Sequence, residues 1–293
     1  MKYLLPEIIH KIKRLDLKAK LVVEGFLSGF HKSPYKGQSI EFADYRPYLP
    51  GDELKKIDWK IFAKTDRFWV REYEEETNLR AYLLLDNSGS MAYKSWEISK
   101  FEYASFLTAC FAYLLFKQHD SVGIAIFNKK DYQYFPPQCS KFHLSKILKI
   151  IEEVKPEGET DILKSLTEIG KKIKKRGLII VFSDLFDNQE NVLKALKNLR
   201  HKKNEVLVFH ILDPNEINLD YNEPLIFKDL ETKREITLDP RGIKKEYQEN
   251  LKNLFLHYKK ECAAHYIDYN LILTNMPFDF VFFNYLEKRA RIR

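Results

Sequence analysis

At 293 residues, with 45% apolar and 31% charged residues, the chain has an ordinary folded composition and enough length for a large domain plus a smaller one. Its three cysteines, Cys110, Cys139 and Cys262, are far apart and form no CxxC pair. That spacing argues against a disulfide framework or zinc site and for reduced thiols in a cytoplasm. The net charge of +7 comes from clusters such as KKIKKR (171–176), HKK (201–203) and EKRARIR (287–293); the first two read as solvated helix ends, no nucleic-acid-binding signature accompanies them, and no nucleic-acid partner is expected.

In chain order, residues 6–24 form a predicted amphipathic helix, whose flanking charges argue against a signal peptide. SPYKGQ (33–38) reads as a loop. The PGD turn then makes Asp52 a predicted N-cap for a helix carrying Leu54, Ile57, Ile61 and Phe62, and FWVREYEE (68–75) is extended. Residues 1–77 are too few and too charged for a core of their own. They are expected to form an α+β extension packed on the domain that follows, residues 78–293.

From residue 78 the texture changes. LRAYLLLD (79–86), SVGIAIFN (121–128), GLIIVFSD (177–184), NEVLVFHILD (204–213) and HYIDYNLILT (265–274) are strand-length, nearly continuous apolar runs, as parallel strands covered on both faces require. Helical patterns lie between them at about 95–118, 140–154, 161–175, 189–202 and 241–263. The first is apolar nearly all round in its second half, which predicts a buried helix. Its run FLTACFAYLLF (106–116) is too short to span a bilayer, so no membrane span is expected. YQYFPP (132–137) suggests a short edge strand ending before Pro136, and PLIFKDLETKREITL (224–238) a hairpin. The alternation predicts an α/β fold, a doubly wound, mostly parallel sheet of Rossmann-like type with right-handed crossovers.

In such a sheet ligands bind beyond the carboxyl ends of the strands, where the strand order reverses. The run LLLDNSGSM (83–91) ends in Asp86, Ser88 and Ser90; GLIIVFSD ends in Asp184; PEGETDI (156–162) delivers Thr160 just before a helix, with Asp161 as its N-cap. Two carboxylates and three hydroxyls form an all-oxygen set that selects a hard cation, with neither thiolate nor imidazole to favour zinc or copper. Magnesium, or another divalent ion such as Mn2+ or Ca2+, fits. With few direct carboxylates the ion stays electrophilic toward an outside carboxylate.

D-x-S-x-S at 86–90, Thr160 and Asp184 resemble the metal-ion-dependent adhesion site of von Willebrand factor A domains, across about residues 78–275. Glu159 stands where that family often has glycine. Upstream, GQSIEFADYRPYLPGDELKKIDWKIFAKTDRFWVREYEEETN, with Arg46-x-Tyr48, GD-x-L, I-D-W and the acidic run, resembles the signature of the bacterial domain of unknown function 58 family. The resemblance implies a von Willebrand A-like domain that partners a MoxR-type AAA+ ATPase in an adaptor or chaperone-like role. Arg46, Asp52, Asp58 and Trp59 then form either a packing bracket or a partner-binding surface.

The competing chemistries fit less well. A dehalogenase-like phosphatase needs a second Asp where Ser88 stands, and a serine-hydrolase elbow needs Gly at position 86. No GxxxxGK[ST] loop or HExxH helix is present. The expectation is therefore a non-enzymatic, cytoplasmic interaction module. The alternative is a metal-dependent hydrolase acting on phosphoesters.

Overall fold

The computed structural model describes residue 6 and residues 14–30, 45–48, 59–71, 79–221, 223–282 and 284–285. The chain divides into two compact units: Met1–Leu27 with Leu79–Arg293, and Ser28–Asn78. The expected extension, 1–77, is thus split, because its first helix, α1 (Leu15–Phe30), falls with the sheet domain as far as Leu27. There Leu15, Ala19 and Val22 form a buried stripe at helical spacing, the Leu15 amide donates to Glu152 Oε1 (2.7 Å), and Tyr113 Oη donates to Glu24 Oε1 (2.9 Å).

In the smaller unit, β1 (Tyr45–Pro47) pairs antiparallel with β2 (Trp69–Arg71), placing Arg46 opposite Val70. Between them α2 (Trp59–Thr65) brings Phe62 against Phe68, their rings stacked at 4.4 Å. Trp59 lies edge-on to both rings yet remains 58% exposed. Asp52 and Asp58, and the helix start predicted at Asp52, lie outside the described residues.

The larger unit contains a six-stranded sheet built from β3 (Arg80–Asp86), β4 (Ser121–Phe127), β5 (Tyr132–Gln138), β6 (Leu178–Ser183), β7 (Glu205–Leu212) and β10 (Ile267–Leu273), in the order β10-β7-β6-β3-β4-β5. All neighbours are parallel except the β4–β5 pair. Each of the five strand-length apolar runs became a strand. β5 runs through Pro136 and Pro137 instead of stopping before them. An edge strand tolerates proline because one side of its backbone needs no ladder partner.

The crossovers are α3 (Lys100–Lys117), α4 (Lys141–Glu153), α5 (Ile162–Lys172), α6 (Gln189–His201), the short α7 (Pro214–Asn218) and α8 (Pro240–Ala264). One sheet face carries Tyr82, Leu84, Val181 and Val208 into a core closed by Leu166 of α5, Leu196 of α6 and Tyr258 of α8. The opposite face packs Phe182 and Phe209 on Phe111 of α3, which also meets Phe282 in the helical stretch 278–282. α3 is buried on nearly all sides, as its sequence predicts. It starts five residues later than expected, because Ser99 and Glu102 form a reciprocal capping box there. A separate two-stranded hairpin, β8 (Leu225–Lys228) with β9 (Glu235–Leu238), precedes α8. No helix among the described residues is long and apolar enough to cross a membrane.

Candidate cation site at the sheet switch point

The strand order reverses at β3, which lies between β4 and β6 with Leu85 beside Phe182. The loops leaving β3 and β6 therefore rise from adjacent strand ends, as the switch-point rule requires. Asp86, the last residue of β3, is fully buried. Its Oδ1 accepts the Ser88 amide (2.9 Å) and its Oδ2 accepts the Ser183 hydroxyl (2.6 Å). The Ser88 and Ser90 hydroxyl oxygens lie 3.1 Å apart, in a tight turn that becomes a 3-10 helix at Gly89–Ala92.

Asp184 is also buried. Its Oδ1 accepts the Phe186 amide (3.2 Å) and its Oδ2 accepts Lys100 Nζ (2.7 Å), and the nearby Ser90 side chain helps to hold its pKa down. Lys100 is only 1% exposed, and its ammonium also donates to Glu216 Oε1 (2.6 Å). Burial pushes the Asp86 carboxyl up to about 7; the Asp184 charge adds to this, and the bonds from Ser183 and Ser88 oppose it. Burial also works to raise Asp184, but the Lys100 ammonium, with help from Ser90 and the Phe186 amide, holds that carboxyl below its usual range. At Glu216 burial wins and the pKa rises.

Thr160 arrives on the loop between α4 and α5. That loop is tied to the Ser88–Ser90 turn by the Glu157 amide to Asn87 O and the Gly89 amide to Gly158 O, both 2.8 Å. Gly158 has φ +82°, a conformation that glycine adopts without strain. Glu159, where the adhesion-site family often has glycine, points outward and pairs with Lys129. The departure therefore leaves the loop intact. Asp161 caps α5 through the Lys164 amide (2.9 Å). The Thr160 amide and hydroxyl are both engaged by one carboxylate, that of Glu231, at 2.9 and 2.8 Å.

Four of the five predicted ligands, Asp86, Ser88, Ser90 and Asp184, thus converge in one network, and the fifth, Thr160, is carried on a loop bonded to theirs. The sequence reading missed Ser183, Lys100, Glu216 and Glu231. Ser183 was legible as the hydroxyl ending β6. The other three carry no local signal.

The residues present fit a hard divalent ion. Two buried carboxylates, one of them raised to about 7 by burial and then by the charge of the other, stand beside the paired hydroxyls of Ser88 and Ser90, and a single ammonium is shared by Asp184 and Glu216. Among the described residues no group of three or more His, Cys, Asp or Glu side chains is arranged to hold a metal. Ligation would therefore fall to Asp86 and Asp184 with the hydroxyls of Ser88, Ser90 and Thr160.

Among solved structures the chain is similar to the conserved hypothetical protein BatB from Bacteroides thetaiotaomicron, at 16% identity and a TM-score of 0.46, covering 73% of this chain and 99% of that one. It is also similar to the SpRpn10 VWA domain, at 12% identity and a TM-score of 0.42, covering 69% and 93%. In sequence it is 25% identical over 240 residues to the uncharacterized protein Rv1480 of Mycobacterium tuberculosis, covering 80% of this chain and 75% of that protein. It is 28% identical over 107 residues to the uncharacterized protein YeaD of Bacillus subtilis, covering 36% and 25%. The family model described as "Protein of unknown function DUF58" matches residues 44–254, well over half of the chain. The protein belongs to the DUF58 family.

Proposed function

We propose that this protein is a cytoplasmic, divalent-cation-dependent protein-interaction module that receives an acidic side chain of a partner. The observation that carries the reading is the pairing of buried Asp86 and Asp184 with the Ser88 and Ser90 hydroxyls at the switch point of the sheet. Asp86 and Asp184 would hold Mg2+ or a similar ion, and Ser88, Ser90 and Thr160 would complete its oxygen set. When bound, the ion supplies a positive centre for an outside carboxylate. The chain's own contribution is rigidity. Ser183 fixes the Asp86 carboxylate, and Lys100 fixes that of Asp184, so neither reorients to accept the ion.

Binding is assigned in preference to turnover. The Lys100 ammonium is locked between two carboxylates, and His210 is engaged by the Tyr269 hydroxyl with its pKa pushed down to about 4 by burial. Neither group is poised to move a proton. The resemblance of residues 37–78 to the family signature supports a MoxR-type AAA+ ATPase as the partner, with Trp59 exposed as a candidate contact.

Magnesium titration tests the site. A ligand at a hundredfold excess over its Kd stabilises the fold by about 2.7 kcal/mol. The melting temperature of the wild type should rise accordingly, and that of Asp86→Ala should not. Equal responses would remove the site assignment. Co-precipitation with a MoxR-type ATPase, in magnesium and in EDTA, tests the partner.

A further inference from the structure

The β8–β9 hairpin stands outside the six-stranded sheet, with Phe227 edge-on to Tyr221, and its tip reaches the candidate site. Among the described residues its two strands pair only with each other, and Ile226 and Ile236 are both more than half exposed. A two-stranded hairpin is marginally stable without further packing. Its tip, by contrast, is well built. Asp229 accepts the amides of Glu231 (2.8 Å) and Thr232 (3.2 Å) and the Thr232 hydroxyl (2.6 Å), and Lys233 takes a left-handed conformation to close the turn. This rigid tip aims one carboxylate, Glu231, at both donors of Thr160. Its backbone also lies over the serine turn, since a Cβ added at Gly89 would come within 3.1 Å of the Leu230 carbonyl oxygen.

The chemistry of that contact is specific. A Thr160 hydroxyl that donates its proton to Glu231 still has its lone pairs for a cation. The Glu231 carboxylate would then lie one hydroxyl away from any ion that Thr160 helped to hold. We propose that the hairpin is an internal competitor: Glu231 holds the seat of a partner's acidic side chain, and the partner binds by displacing the tip. This inference rests on the cation-site reading above and adds its regulation. The sequence places the acid within DLETKR (229–234), a tip tied to the site by this pair of bonds and by the backbone contact at Gly89.

The test uses the full chain loaded with Mn2+, whose paramagnetism broadens the proton signal of acetate bound next to it. Four variants are compared with the wild type: Glu231→Gln, a chain with residues 229–234 replaced by a two-residue Asn-Gly turn, Lys228→Ala as a hairpin control, and Asp86→Ala. A tethered carboxylate acts at an effective concentration of ~10 mM, so against acetate at ~1 mM its removal should raise the bound fraction up to about tenfold, the full gain being reached where both carboxylates bind the ion with a Kd well below ~1 mM. Broadening that rises in Glu231→Gln and in the short-turn chain, but not in Lys228→Ala, supports the proposal. If Mn2+ binds the wild type and not Asp86→Ala, while acetate broadening is the same with and without Glu231, the hairpin proposal is overturned and the cation site stands. If Mn2+ binding is the same in Asp86→Ala as in the wild type, the cation site itself falls, and the competitor role falls with it.

Discussion

Lys100 and Asp184, 84 residues apart in sequence, form an ion pair of 2.7 Å with both side chains almost wholly removed from solvent. Such a pair is expensive to desolvate and adds little net stability, but removing one member leaves the other charged and buried. Lys100→Met therefore leaves Asp184 beside Asp86 with no counter-charge and should destabilise the fold by about 3–5 kcal/mol in EDTA. Adding Asp184→Leu should recover much of the loss. The same argument sets a functional signature: with its ammonium gone, the Lys100→Met site should respond to Mg2+ more strongly than the wild type. Chemical denaturation with and without Mg2+ measures both effects. A single variant within about 1 kcal/mol of the wild type would mean that the pair is not buried as described.

Much of the fold was legible because burial on two faces writes itself into the sequence as unbroken apolar runs. LRAYLLLD and GLIIVFSD became adjacent central strands, and FLTACFAYLLF became the enclosed helix α3. The ends of those runs also marked the site, since Asp86 and Asp184 are acids placed where buried strands stop. The partners of these acids were not legible. Lys100 opens a helix as any lysine might, and Glu231 lies in a charged tip 71 residues beyond Thr160. Only the crossover topology, which no local spacing encodes, brings them to Asp184 and Thr160. The division of the first 77 residues was hidden for a similar reason. The apolar stripe of α1 looks the same whether it faces its own unit or the sheet domain.

The opposite ends of the same strands provide a control. Gly177 immediately precedes β6, its amide donating to buried Asn204 (3.0 Å), and a Cβ there would lie 2.1 Å from the Arg80 carbonyl oxygen of β3. No rotamer relieves a clash between a Cβ and backbone. Gly177→Ala should cost at least about 2–3 kcal/mol, or a fall in Tm of roughly 5 °C or more for a chain of this size. Because the candidate site lies at the far ends of β3 and β6, the Mg2+-induced rise in Tm should survive in this variant. Loss of the rise in a folded Gly177→Ala protein would show that the two ends of the sheet are coupled.

His210 gives the fold a pH dependence whose sign is fixed by burial. Its ring is 2% exposed, bonds through Nδ1 to the Tyr269 hydroxyl (2.7 Å), and stands edge-on to Phe255, Tyr258 and Tyr269. Burial pushes its pKa down to about 4; the charge of Asp184 pulls upward and that of Lys100 adds to the depression. The unfolded chain titrates near 6.5, so between about 6.5 and 4 it binds more protons than the native state. The histidine's contribution is therefore complete above pH 6.5 and is lost as pH falls toward 4, with a slope approaching 1.4 kcal/mol per unit. Asp86 and Glu216, whose pKa values are raised, act in the opposite sense over part of this range, so the wild-type profile alone does not isolate His210. The difference between wild type and His210→Gln does, because Gln still offers an acceptor to Tyr269 but does not titrate. Urea unfolding in EDTA should show the wild type losing about 2 kcal/mol more than His210→Gln between pH 7 and pH 4.5. Parallel profiles for the two proteins would mean that the ring is hydrated and protonates in place.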